Sequence, residues 1–225
     1  PHECDGHAHD DGDDGLGLSL RPQIDLDAVK CLNEDVPNMG RAVLKLHEER
    51  LSSDPFLRSQ EDDPELLLYI PFTEAVTITH LAIRSVPATN NDDNDNDDHP
   101  VAPPRTVKLF ANRDDIDFEM ARELDPQCQV DALPPEHFVE GTIDYPLRPA
   151  GRFQNVSSIT LFFSDNFAGL EEDEEGVSTI VTYVGIKGRG SGQKRMAVEA
   201  VYETRGMKKD HKTPGADFGT QNEIG

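Results

Sequence analysis

The chain has 225 residues, 44 of them Asp or Glu and 21 Lys or Arg, for a formal net charge of -23. A surface that acidic repels phosphate backbones and anionic lipid headgroups at long range, so nucleic acid and membrane surfaces are excluded as expected partners. With 36% hydrophobic residues and a mean hydropathy of -0.59, the sequence reads as one domain with polar excursions that pack no core.

Residues 1–19 are rich in His, Asp and Gly and hold almost nothing to bury, so a flexible segment is expected there. The segment carries His2, Cys4, His7 and His9, side chains of the types that bind zinc, nickel or copper. With no fold to hold them, metal binding there reads as adventitious, and the expectation is no resident metal and no cofactor. The same residues lack the basic and apolar regions of a secretory leader, and no stretch approaches membrane-spanning length. Cys4, Cys31 and Cys128 are an odd set without a CxxC pair. That pattern predicts no disulfide framework and fits a reducing compartment, so a cytoplasmic and nuclear location is expected. Cys31 and Cys128 sit near apolar residues and read as small core hydrophobes.

The folded domain is expected over residues 20–204. Ile24, Ala28, Val29 and Leu32 have helical spacing, with Asp25 or Asp27 as a cap and Pro37 as a limit. From residue 65 onward, short β-branched and apolar runs separated by turn residues predict strands at 65–72, 76–86, 106–112, 157–164, 178–187 and 197–203. Alternation is clearest where Ile159, Leu161 and Phe163 share one face and Thr160 and Phe162 the other. No strand–helix–strand pattern recurs, so the predicted class is all-β, an antiparallel β-sandwich with short helices. A short helix is predicted near residues 115–124 from Ile116, Met120 and Leu124. The Asn/Asp run at 90–98 reads as a polar loop, lacking the spacing of a calcium loop, and residues 169–176 as an acidic hairpin tip. Residues 205–225 read as an extended tail, locally basic at Lys208, Lys209 and Lys212.

Catalytic motifs are missing: the sequence has no GxSxG, no GxGxxG opening a helix, no GxxxxGK[ST] and no HExxH. Residues 187–192 are Gly-rich, but no helical pattern follows to receive a phosphate, so a flexible hairpin loop is expected. The reading is a non-catalytic binding module, monomeric when free.

Several ordered motifs carry a family resemblance. They are Cys31-Leu32-Asn33-Glu34, Asp62-Asp63-Pro64-Glu65-Leu66-Leu67, Ile70-Pro71-Phe72, Val107-Lys108-Leu109-Phe110, Arg152-Phe153-Gln154-Asn155-Val156 and Tyr183-Val184-Gly185-Ile186-Lys187-Gly188. Together they resemble the PITH family, whose name stands for proteasome-interacting thioredoxin domain. Without a CxxC, the chain is similar to the form that stands apart from a thioredoxin half. The resemblance implies a jelly-roll sandwich similar to galactose-binding-like domains and docking on the 26S proteasome regulatory particle. It implies no catalytic residue. Asp62, Asp63, Glu65, Gln154 and Asn155 are candidates for partner contact, each with a competing reading as a turn or sheet-corner residue. Two alternatives remain open: a sandwich binding a sugar or small molecule, and a metal-binding protein using the His/Cys cluster. The first rests on fold analogy and is weakened by the absence of Trp and only 6% aromatics.

Overall fold

The computed structural model describes residues 18–87, 100–133, 142–169 and 176–194. The expected strand at 197–203, the Asn/Asp run up to residue 99, the acidic tip at 170–175, the tail and the whole His/Cys cluster lie outside the described residues.

The backbone of the architecture is β4, Leu66–Arg84, which merges the two strands expected at 65–72 and 76–86. Its first half pairs antiparallel with β9, Val156–Asn166, and with the short β2, Lys30–Leu32. The second half pairs antiparallel with β11, Tyr183–Lys194, and with β8, Ile143–Pro146. The change of partners falls between Pro71 and Val76, where the register to β9 shifts. Pro71 has no N–H for a ladder, which suits the point at which a strand leaves one neighbour for another. The larger sheet continues from β9 to β6, Pro104–Ala111, and β7, Cys128–Asp131, while β1, Leu18–Ser19, edges β11. A smaller sheet holds β3, Leu57–Arg58, β10, Ser178–Val181, and β5, Val101–Ala102. β10 and β5 run parallel, a departure from the wholly antiparallel expectation.

Inward side chains from both halves of β4 meet those of β6, β9 and β11 in one core, closing a β-sandwich. Leu66, Leu68, Ile70, Phe72, Val76 and Ile78 point in, and after Thr79 the parity switches so that Leu81 and Ile83 do. The switch is a bulge: Lys187 faces His80 and Gly188 faces Ile78, leaving Thr79 as the extra residue. A Cβ on Gly188 would stand 2.0 Å from the Thr77 carbonyl oxygen, so the bulge requires glycine. The Gly-rich run expected as a hairpin loop is therefore paired strand, because its glycines permit a close backbone approach.

The outer face of β4, β6 and β9 is also dry. Leu67, Phe110 and Phe162 pack with Ile116 and Ala121 under α2, Phe118–Glu123. The Asp117 carboxylate caps α2 by accepting from the Met120 N–H at 2.8 Å, and the Lys108 ammonium closes its other end by donating to the Ala121 and Arg122 carbonyls at 3.1 and 3.0 Å. Phe118 meets Phe162 edge to face at 6.1 Å. The predicted helix at 115–124 is thus shorter, and Ala121 and Phe118 supply the contact assigned to Leu124, whose backbone is extended.

The helix expected over 24–32 does not form. The chain makes two 3-10 turns, Arg21–Gln23 and Leu26–Ala28, then enters β2, and neither Asp25 nor Asp27 provides a helix cap. Its tertiary bonds win: Asp25 N–H donates to the Pro71 carbonyl at 2.9 Å, and Gln23 accepts from the Thr73 hydroxyl at 3.1 Å. These two bonds tie the segment to the bend in β4.

Phe162 is fully buried at the centre of the second cluster. Phe162→Ala should destabilise the domain by about 3–5 kcal/mol, measured by the shift in a denaturant unfolding curve.

Candidate functional site

Most of the motif residues serve the frame. Asn33 has φ 67° and donates its side-chain amide to the Glu65 carbonyl at 2.7 Å. Its neighbour Glu34 accepts from the Asn38 and Gly40 N–H groups at 2.7 and 2.8 Å, fixing the start of α1, Met39–Ala42. A Cβ on Gly40 would lie 2.5 Å from that of Cys31, so glycine lets α1 press on β2. Burial, followed by the Glu34 charge, pushes the Cys31 thiol far up, which leaves it an inert packing group.

The five sequence candidates for partner contact fall at three places. Asp62 is exposed at φ 60° and bridges to Gly176. Asp63 accepts from the Glu65 N–H at 2.9 Å, closing a local turn, and Glu65 forms a forked ion pair with Arg122. Gln154 and Asn155 are exposed between the fully buried Phe153 and Val156. Asn155 has φ 55°, and its carbonyl accepts from Asn112 at 3.3 Å. Asp63 and Glu65 are joined by that turn bond, and among the described residues no hydrogen bond or ion pair links the 62–65 turn to the 154–155 corner.

A different surface is built between β2 and β3. Eight large apolar side chains are exposed among the described residues, and five of them, Leu32, Val36, Leu46, Leu51 and Phe56, fall within 25 consecutive positions. Val36, Met39, Pro55 and Phe56, with Asp54 at the rim, line an open cleft of about 490 Å³. α1, anchored by Glu34, presents Met39; Val36 sits on the turn before it. Phe56 comes from the opposite arm of the loop, immediately before Leu57, which is fully buried in β3. The Arg58 guanidinium pairs with Asp35 across this junction at 2.5 Å. Sequence reading missed the cleft, because neither arm shows periodicity.

The loop carrying Leu46, Leu51 and Phe56 also presents Glu48, Glu49 and Asp54, all exposed. Among the described residues none of these carboxylates forms a hydrogen bond or ion pair. The nearby Lys45 is buried, and its ammonium donates to the Ser52 carbonyl at 2.9 Å. Burial pulls the Lys45 pKa down, Asp54 and Glu49 oppose that shift, and Arg84 adds to it. Lys45 thus belongs to the base of the loop, and the three acids face outward.

Two other polar features lie elsewhere on the fold. On the outer face of β8 and β11 the Lys187 ammonium meets Asp144 at 3.0 Å, and Tyr183 is pushed up to about 12, first by burial and then by the Asp144 charge. A second cleft of about 410 Å³ is lined by Ala111, Asn112, Asp125, Pro126, Gln127 and Arg152. There the Asn112 carbonyl oxygen accepts from Ser157 and the Gln127 side chain accepts from the Ala111 N–H at 3.0 Å, so both hold the sheet corner. Among the described residues no group of three His, Cys, Asp or Glu could hold a metal ion. His2, Cys4, His7 and His9 lie outside those residues.

Comparison with known proteins places this geometry in a family context. The PITH domain model matches residues 10–206. The PITH domain-containing protein 1 of Dictyostelium discoideum is 32% identical over 94% of this chain and 94% of its own length. The human protein of the same name is 30% identical, covering 91% of this chain and 87% of its own. Among solved structures, CBM32-3 from a family 31 glycoside hydrolase of Clostridium perfringens is similar at a TM-score of 0.48 and 9% identity, covering 78% of this chain and 96% of that one. An F5/8 type C domain from Bacteroides fragilis is similar at a TM-score of 0.45 and 14% identity, covering 75% and 96%.

Two outcomes check the frame assignments. Glu34→Ala leaves two backbone donors without their acceptor and should cost about 1–3 kcal/mol in thermal or denaturant unfolding. At pH 8, alkylation followed by peptide mapping should find Cys31 unmodified in the native protein and modified once denaturant is added.

Proposed function

The chain belongs to the PITH family, and from that membership we propose that it is a non-catalytic interaction module that docks on the 26S proteasome regulatory particle. The observation that carries the docking is the gathering of Leu32, Val36, Leu46, Leu51 and Phe56 on one stretch of an otherwise polar, acidic chain. Scattered apolar side chains on a surface need no partner, whereas Val36 and Phe56 share one open apolar cleft with Met39 and Pro55, which fits a protein interface. The Glu34 bonds at the start of α1 and the Arg58–Asp35 pair tie down the elements that carry the cleft, and a surface fixed before binding lowers the ordering cost of association.

The family name supplies the partner in this reading, as it is the proteasome that PITH denotes. The module acts as an accessory or regulatory factor, monomeric before it docks, in the cytoplasm and nucleus. Reduced Cys31 and Cys128 fit that setting. A sugar-binding role fits less well. The polar cleft has no aromatic side chain in its lining, and two of its amides hold the backbone.

Capture from cell extract on the immobilised full chain tests the reading. Regulatory-particle subunits should be retained at low salt and, more weakly, at moderate salt. Recovery of none at either salt would overturn it.

A further inference from the structure

The proposed docking surface has a chemical asymmetry that specifies its partner. The walls of the cleft, Val36, Met39, Pro55 and Phe56, are apolar, and one carboxylate, Asp54, stands at the rim. Covering Asp54 with a purely apolar partner would strip its hydration without replacement, which is costly for an ionised group. Lys45 feels the Asp54 charge from within the fold, but it is buried and donates to the Ser52 carbonyl, so among the described residues no cation meets the Asp54 carboxylate directly. Glu48 and Glu49, exposed a few residues before Asp54, add to the negative field and form no ion pair among the described residues, and Arg50 turns back to donate to the His47 carbonyl at 3.0 Å.

We infer that the cleft takes a protein segment in which an apolar side chain stands next to a lysine or arginine, the apolar group filling the cleft and the cation meeting Asp54. The inference rests on the docking reading and names the chemistry of its partner. Glu48 and Glu49 draw the basic segment in and raise the rate of encounter, while the apolar contact and the Asp54 pair set the lifetime. The net charge of -23 keeps acidic proteins and nucleic acids away from the same surface.

Full-chain variants binding to purified 26S proteasome, measured at about 50 and about 300 mM salt, provide the test. Phe56→Ala should weaken binding about tenfold or more at both salts, and Val36→Glu should do the same through the opposite wall. Asp54→Lys should weaken binding about tenfold at low salt and less at high salt, with Asp54→Asn intermediate; joint Glu48→Gln and Glu49→Gln should mainly slow association. All these side chains are exposed, and unchanged melting confirms that each variant is folded. If the apolar variants weaken binding while Asp54→Lys equals the parent at both salts, docking at the cleft stands and the basic-partner inference falls. Equal binding by all variants overturns the cleft as the surface. No binding by the parent chain removes the docking reading itself.

Discussion

The structure depends on keeping β4 continuous through a change of neighbours. Nineteen residues serve first β2 and β9 and then β8 and β11, so one covalent strand joins both groups around the core. An uninterrupted parity would turn the second half inside out. The Thr79 bulge prevents this by reversing the face between Ile78 and Leu81, and Gly188 supplies the room that the bulge takes from β11. The turns at Arg21–Gln23 and Leu26–Ala28 complete the device by bonding the backbone at the bend. Local helical spacing loses to these bonds, because so short a helix has little stability of its own.

The polar motif residues solve a related problem at the corners. Asn33, Asn38, Asp62, Asn112 and Asn155 all have positive φ, a conformation that Asn and Asp tolerate better than other residues with a side chain. Two of their side chains bond backbone groups near strand ends: the Asn33 amide donates to the Glu65 carbonyl, and the Asn112 side chain accepts from the Ser157 N–H and donates to the Asn155 carbonyl. The most family-like segments are therefore explained by turn chemistry. Phe153 and Val156 bury themselves on either side of an exposed pair, which is what a tight corner between two packed strands demands.

Legibility in the sequence followed the length and regularity of each element. β9 was readable because Ile159, Leu161 and Phe163 alternate over a long run, although Phe162 and Thr160 proved to be buried as well. A second dry face looks polar-poor rather than periodic, so α2 and its cluster could be placed only approximately. β1, β3 and β5 have two residues each and carry no period at all. The Gly-rich end of β11 misled because glycine signals a loop and a bulged strand equally well. The cleft could not be found by pattern, since Val36 and Phe56 lie on different arms and only the β2, α1 and β3 framework brings them together.

The acidity of the chain divides into two populations with different physical roles. Glu34 and Asp117 accept from backbone N–H groups; Glu65, Asp144 and Asp165 pair with Arg122, Lys187 and Arg105. Those charges are compensated within the fold and contribute little field outside it. Glu48, Glu49 and Asp54 are exposed, form no ion pair among the described residues, and lie in the same stretch of chain as exposed Leu46, Leu51 and Phe56. An uncompensated charge beside apolar surface is a cost only when the wrong partner covers it. In the proposed docking, the same arrangement would lower affinity for apolar or acidic surfaces and leave the apolar contact available to a basic one, so that selectivity and attraction would arise from a single loop.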